Sequence, residues 1–145
     1  MKLVILSLLV TSLVAPAIAH NFWMVLYHGS FSELGFKFIS EAPQCTAELH
    51  DAKLYADRSD VSGDKWGVRY ELYGGITDIV EWNTNDENLG HHTMYRDRDY
   101  GIYDTNDNRK GRCIPDSTRD FDCLFQFTRV SGFSILNCTS DSIHV

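Results

Sequence analysis

Short runs of alternating apolar and polar residues, separated by turn-forming residues, constrain this chain most strongly. The clearest pair covers residues 66–73 and 76–82, which are joined by Gly74-Gly75. A glycine pair between two alternating runs is typical of a β-hairpin. Further runs that favour strands cover residues 22–27, 35–39, 92–96, 101–104, 110–114, 121–127 and 132–138. The pattern predicts about six to nine short strands in one mainly antiparallel sheet, sandwich or barrel.

One segment departs from this alternation. Its apolar residues recur at spacings of four, three and four, at Cys45, Leu49, Ala52 and Ala56. Such spacing places them on one face of a helix. Thr46 is the expected N-cap. We therefore predict a single helix over residues 46–56, with Cys45 near the core, and an α+β fold that is close to all-β.

The first 19 residues have the three parts of a cleavable signal peptide. Lys2 supplies the positive charge, residues 3–14 form the apolar stretch, and Ala17-Ile18-Ala19 matches a small-x-small cleavage site. Cleavage after Ala19 would leave one secreted domain, residues 20–145, and cleavage after Ala17 is the alternative.

A membrane anchor is the competing interpretation of this N-terminal segment. A spanning helix needs roughly 20 apolar residues. Pro16 and the polar chain that follows it argue against such a helix. We therefore expect an extracellular protein with no membrane span.

The cysteines favour disulfides over a metal site. The chain has four Cys residues, and an even set in an oxidising compartment indicates two disulfides. Their spacings lack the close pairs of a zinc site. Three connectivities are possible, and among them we favour Cys113–Cys123 with Cys45–Cys138.

Length and charge exclude several classes of protein. A chain of 145 residues is expected to form one domain. Its 20 acidic residues outnumber 13 basic ones, which gives a net charge of −7. A negative protein is repelled by phosphate backbones and anionic lipids, so generic nucleic-acid binding is not expected.

One alternative function comes from a resemblance in the order of elements. Arg69 and Glu71 alternate on one predicted strand, and the stretch 85–90 precedes His91 and His92. This arrangement resembles small secreted fungal ribonucleases, which carry Glu, His and Arg on one face of an antiparallel sheet. The resemblance implies Glu71 as the base, His92 as the acid and Arg69 as the cation that binds phosphate. A surface ion pair is the competing interpretation.

A second alternative concerns copper. Cleavage after Ala19 would make His20 the first residue, which offers its amine and imidazole to one metal ion. A second imidazole would complete the histidine brace of copper oxygenases and related secreted copper proteins, and amine and imidazole nitrogens suit Cu(II). The chain has five further histidines, among which we name His91 as the second ligand. No other cofactor is expected.

The chain as a whole resembles the small secreted, cysteine-containing, effector-like proteins of filamentous fungi. The most particular stretches are residues 60–69 and 95–113. The resemblance implies a disulfide-stabilised monomer that binds an extracellular or host protein or glycan without catalysis. We expect the contacts to lie in the loops at residues 28–34, 57–65 and 83–98.

One modification site is suggested by the sequence. Asn137-Cys138-Thr139 matches an N-glycosylation pattern. A disulfide at its middle residue argues against occupancy.

Overall fold

The computed structural model describes residues 18–145. The predicted signal peptide lies outside this range except for Ile18 and Ala19. The described residues form nine strands and one α-helix: β1 His20–His28, β2 Leu34–Ile39, α1 Ala47–Asp51, β3 Gly67–Tyr73, β4 Ile76–Asn83, β5 His91–Tyr95, β6 Gly101–Asp104, β7 Arg109–Pro115, β8 Asp120–Phe125 and β9 Thr128–Ser140. The predicted fold class is therefore confirmed, and each predicted strand is present with its ends shifted by a few residues.

All nine strands belong to one antiparallel sheet. Eight of them follow the order β2-β1-β9-β7-β6-β5-β4-β3, and β8 pairs with β9 beside this path. Strand β9 is the longest and has β1 along one edge. On its other edge β7 pairs with residues 136–140 and β8 pairs with residues 128–133. Strands β7 and β8 therefore follow one another along β9, and their ladders do not overlap.

A short segment after the helix joins the two edge strands of the sheet. Tyr55 pairs with Phe36 of β2, and Asp57 pairs with Val68 of β3. The backbone N–H of Phe36 donates to the carbonyl of Tyr55 at 2.8 Å, and Val68 N–H donates to Ala56 at 2.9 Å. The segment thus bridges the gap between β2 and β3, and the sheet becomes a nearly closed barrel.

The antiparallel order sorts the connections into two groups. Turns β1–β2, β3–β4, β5–β6 and β8–β9 lie at one end of the barrel, which we call the hairpin end. The start of β1, the helical segment and the β4–β5 and β6–β7 connections lie at the other end, which we call the helix end. In the β3–β4 turn, Gly74 and Gly75 have φ of 60° and 79°. These values suit the mirror-image turn that the glycine pair predicts.

The barrel interior is filled largely by aromatic side chains. Trp82 has no exposed surface. Its ring centroid lies 5.6 Å from that of Phe38 and 6.4 Å from that of Phe22. A second apolar cluster lies outside the barrel, where Leu49 of α1 covers Val25 and Trp23 of β1. Strand β1 is therefore buried on both faces, which explains its long apolar run.

The helix is shorter than its sequence predicts. Thr46 is the N-cap as expected, because its hydroxyl accepts a hydrogen bond from Leu49 N–H at 3.4 Å. The helix ends at Asp51, whereas the apolar spacing predicted a helix to residue 56. The buried ammonium of Lys37 donates to the carbonyls of Leu49 and His50 at 3.0 and 2.7 Å. These bonds satisfy the final carbonyls, and the chain then turns to pair with β2.

The disulfides join different partners from those we favoured. Cys45 is bonded to Cys123, and Cys113 is bonded to Cys138. Cys113 and Cys138 face each other directly across the β7–β9 ladder. Cys45 is exposed and lies just before α1, so its bridge ties the helical segment to β8. The predicted number of bridges is confirmed, and the favoured pairing is wrong.

Candidate functional site

A cluster of charged side chains lies on the outer face of β3, β4 and β5. Arg69 and Glu81 are opposite each other in register, and Arg69 Nη1 donates to Glu81 Oε2 at 3.1 Å. The other carboxylate oxygen of Glu81 lies 3.0 Å from His91 Nε2. Arg69 Nε lies 3.0 Å from Glu71 Oε1, as an ion pair rather than a hydrogen bond. The fold therefore brings one arginine, two glutamates and one histidine together.

His92 lies on the opposite side of the sheet from this cluster. Successive side chains of a strand point to opposite faces. His92 pairs with buried Trp82, and their ring centroids are 5.8 Å apart. The fold therefore does not bring Glu71 and His92 together, and His91 is the histidine near Glu81. The apolar Met94, two residues along the strand, is the sequence signal that marks the inward face.

The carbonyl of Leu89 fixes the ring of His92. Because a carbonyl only accepts hydrogen bonds, His92 Nδ1 is the donor, at 2.9 Å. Trp82 Nε1 donates to the same oxygen at 3.1 Å. Burial lowers the pKa of His92, although the bond to Leu89 opposes this shift. His92 is consequently a neutral structural residue beside the core.

This burial predicts a loss of stability in mild acid. The unfolded chain takes up a proton at His92 near the ordinary pKa of about 6.5, before the folded chain does. The free energy of unfolding should therefore decrease as the pH falls from 7 to 5, and urea titrations at both values measure it. His92→Gln should reduce the decrease, whereas the exposed His28→Gln should leave it unchanged. An equal decrease in wild type and His92→Gln would contradict this assignment.

The charged cluster is poorly suited to bind a phosphate. The guanidinium of Arg69 already faces the carboxylates of Glu71 and Glu81. An incoming phosphate would compete with both carboxylates and be repelled by them. The side chains are 15% exposed for Glu81 and 29% for Arg69. The arrangement is that of a cross-strand ion-pair network, and it does not favour RNA cleavage.

The structure also places the histidines named for copper. His20 begins β1 and His91 begins β5, with β9, β7 and β6 between these strands. The His91 ring contacts Glu81, and His91 is therefore not the second copper ligand beside His20. The imidazole beside His20 belongs to His144, with ring centroids 4.2 Å apart and planes at 71°. Sequence reasoning counted His144 among the available histidines but chose His91, because His144 follows the last strand, where no periodic pattern marks its position.

Apolar side chains protrude from two turns at the hairpin end. In the β3–β4 hairpin, Leu72, Tyr73 and Ile76 are each more than half exposed. In the β8–β9 hairpin, Leu124 is 71% exposed and Phe127 is fully exposed. We call these five side chains the hairpin-tip residues. They lie outside both apolar clusters that residues 18–145 form.

The remaining predicted sites fall in different places. Asn137 is half-buried within β9, paired with Trp23 on one side and Ile114 on the other. Of the predicted contact loops, residues 28–34 lie at the hairpin end and residues 57–65 lie at the helix end. The loop at residues 83–98 includes β5 and thus reaches from one end to the other.

No family model, curated protein or solved structure matches this chain. Among residues 18–145, no helix has the length and apolar character to cross a membrane. Over the same residues, no three His, Cys, Asp or Glu side chains converge on one point.

Proposed function

We propose that this chain is a secreted, disulfide-tied binding protein that acts by docking its hairpin end against an extracellular protein. The observation that carries the proposal is the exposure of five large apolar side chains on two hairpin tips at that end. Large apolar patches on a protein surface mark sites of interaction with proteins or membranes. Catalysis is not part of the proposal, because the side chains of the charged cluster on β3, β4 and β5 are engaged in ion pairs with one another.

The tips have the composition of a protein interface. Aromatic residues are enriched at the energetic centres of such interfaces. Tyr73 and Phe127 supply one aromatic ring to each tip, and the Arg96 guanidinium lies 5.4 Å from the Tyr73 ring centroid. The flanking apolar residues can exclude water around these rings. A partner with apolar grooves fits this surface better than a glycan does.

The rest of the fold supports a rigid presentation of the tips. Each tip is a tight turn at the end of a paired hairpin. The Cys45–Cys123 disulfide anchors β8 to the helical segment, and Cys113–Cys138 clamps β7 to β9. Surface that is already ordered loses less conformational entropy on binding. Disulfides are also compatible with an extracellular protein.

The proposal predicts that the aromatic tips carry the affinity. Immobilised wild type, Tyr73→Ser/Phe127→Ser and Trp66→Ser would each be exposed to extracellular fluid, and the retained proteins would be compared by mass spectrometry. Trp66 is a matched control, because it is 55% exposed at the helix end. We expect a protein that wild type and Trp66→Ser retain and the tip variant loses. Its affinity for the tip variant should be at least about tenfold lower.

Other results of this capture experiment would contradict the proposal. Equal retention by all three proteins would place the binding surface elsewhere. Retention of a polysaccharide alone would contradict the choice of a protein partner. Sedimentation of the purified chain tests whether a second copy of the chain binds the hairpin-tip residues. A dimer that dissociates in the tip variant would show that the tips serve self-association.

A further inference from the structure

We propose that His20 and His144 form a binding site for one Cu(II) ion at the helix end of the barrel. The two imidazole rings are in contact, with centroids 4.2 Å apart and planes inclined at 71°. They come from opposite ends of the domain, so no local sequence constraint places them together. This site is separate from the hairpin tips, and its existence does not depend on the proposed binding function.

The backbone on the His20 side is fixed by the sheet. His20 pairs with Ser140 in the β1–β9 ladder. The Ser140 side chain accepts hydrogen bonds from the backbone N–H groups of Ser142 and Ile143, both at 3.1 Å. One buried serine therefore holds the turn that returns the chain toward the first residue of β1.

The backbone on the His144 side is fixed by the core. The side chain of Ile143 is fully buried, which anchors the residue immediately before His144. The backbone N–H of His144 also donates to the carbonyl of Asn88 at 3.3 Å. Both histidines are consequently held by ordered neighbours while their rings face each other near the surface.

The spacing of the rings suits two nitrogen ligands of one ion. Imidazole nitrogens bind metal ions at about 2.0 Å, so two nitrogens at adjacent corners of a square plane lie about 3 Å apart. Rings already in contact can reach this spacing by rotating their side chains. Imidazole nitrogens in a tetragonal arrangement favour Cu(II) among the common divalent ions.

The charges on the two sides of the histidine pair differ in sign. A cavity of about 300 Å³ adjoins His144 and is lined by Glu48, Asp51 and Asp86 together with one basic residue, Lys53. A second cavity beside Ala19 is lined by Arg109, Lys110 and Arg112. The acidic lining favours a cation on the His144 side of the pair.

A third nitrogen becomes available if the signal peptide is cleaved after Ala19. The free amine of His20 would then chelate the ion together with its own imidazole. Because no third side chain converges on this pair within residues 18–145, tight binding should require this amine. The proposal therefore links copper affinity to the position of cleavage.

The test uses the folded domain beginning at His20. Cu(II) affinity would be measured by competition with a chelator, and the number of bound nitrogens by electron paramagnetic resonance. His144→Phe keeps a ring against His20 but removes both nitrogens. We expect one Cu(II) with three nitrogen ligands in wild type, and at least about tenfold weaker binding with two nitrogens in His144→Phe.

Two controls make the outcome specific. His28→Gln removes an exposed histidine at the hairpin end and should leave the affinity unchanged. A chain extended by Gly-Gly-Ser-Ala before His20 lacks the free amine and should also bind at least about tenfold more weakly. A start at Ile18 is not a suitable control, because histidine in third position binds Cu(II) through the amine and intervening amides. Equal affinity in wild type and His144→Phe would overturn the proposal.

Discussion

Replacing Trp82 with alanine should lower the free energy of unfolding by about 4 kcal/mol. The side chain is fully buried and contacts the rings of Phe22, Phe38 and His92. The substitution removes this packing and leaves a cavity where β1, β2 and β4 meet. It also removes the indole donor to the Leu89 carbonyl. This loss is a large fraction of the stability of a single small domain.

Two further variants test how much of this loss comes from the buried ring of Trp82. Trp82→Phe keeps most of the ring and should cost about 1 to 2 kcal/mol, because Leu89 retains its bond from His92. Trp66→Ala removes the same residue type from a site that is 55% exposed, and the change should stay within about 0.5 kcal/mol. Urea titrations measure all three. A loss at Trp66 as large as that at Trp82 would contradict the assignment of the core.

Removing the Cys45–Cys123 disulfide should destabilise the domain by about 4 kcal/mol in the chain-entropy account. The bridge closes a loop with a sequence separation of 78, whereas Cys113–Cys138 has a separation of 25. The longer loop restricts the unfolded chain more. Both sulfurs of the second bridge lie in the core, so its removal would add a cavity to the loop effect.

The Cys45→Ala/Cys123→Ala variant measures the loop effect most cleanly. Cys45 is exposed, whereas Cys123 is buried in the second apolar cluster, so only one of the two changes removes internal packing. We expect a lower urea midpoint for the variant than for the oxidised wild type, and peptide mapping without reduction should recover both bridges in wild type. A stability change below about 1 kcal/mol, or a different pairing in the map, would contradict the structure.

The strands were predictable from the sequence because each satisfies a local rule. Alternation places Val68, Val80 and Trp82 inside, and Gly74-Gly75 supplies the positive φ angles of the turn. The helix was predicted too long because the spacing of apolar residues does not report pairing with distant strands. Ala56 keeps the helical spacing, yet its carbonyl accepts a hydrogen bond from Val68 N–H of β3.

The disulfide pairing depends on information that the sequence does not carry locally. The favoured Cys113–Cys123 bridge assumed that β7 and β8 form a hairpin. Both strands instead pair with β9, at different positions along it. Cys123 therefore faces the helical segment and Cys45, while Cys113 faces Cys138. Only the order of strands in the barrel decides between the three connectivities.

The candidate sites were also predictable only where a local pattern marks the position of the side chain. Arg69 and Glu71 were correctly placed on one strand face, and their partner Glu81 follows from the hairpin register. The inward position of His92 could have been inferred from Met94. The contact between His20 and His144 could not, because it depends on how Ile143 is anchored in the core.

Hydrogen exchange of the domain, alone and bound to the partner retained by wild type, tests the binding account most directly. The account predicts slower exchange on binding at residues 72–76 and 124–127, with residues 60–66 at the helix end unchanged. Trp66 lies within that unchanged segment and serves as an internal reference. Protection confined to the helix end, or to the outer face of β3 to β5, would contradict the account.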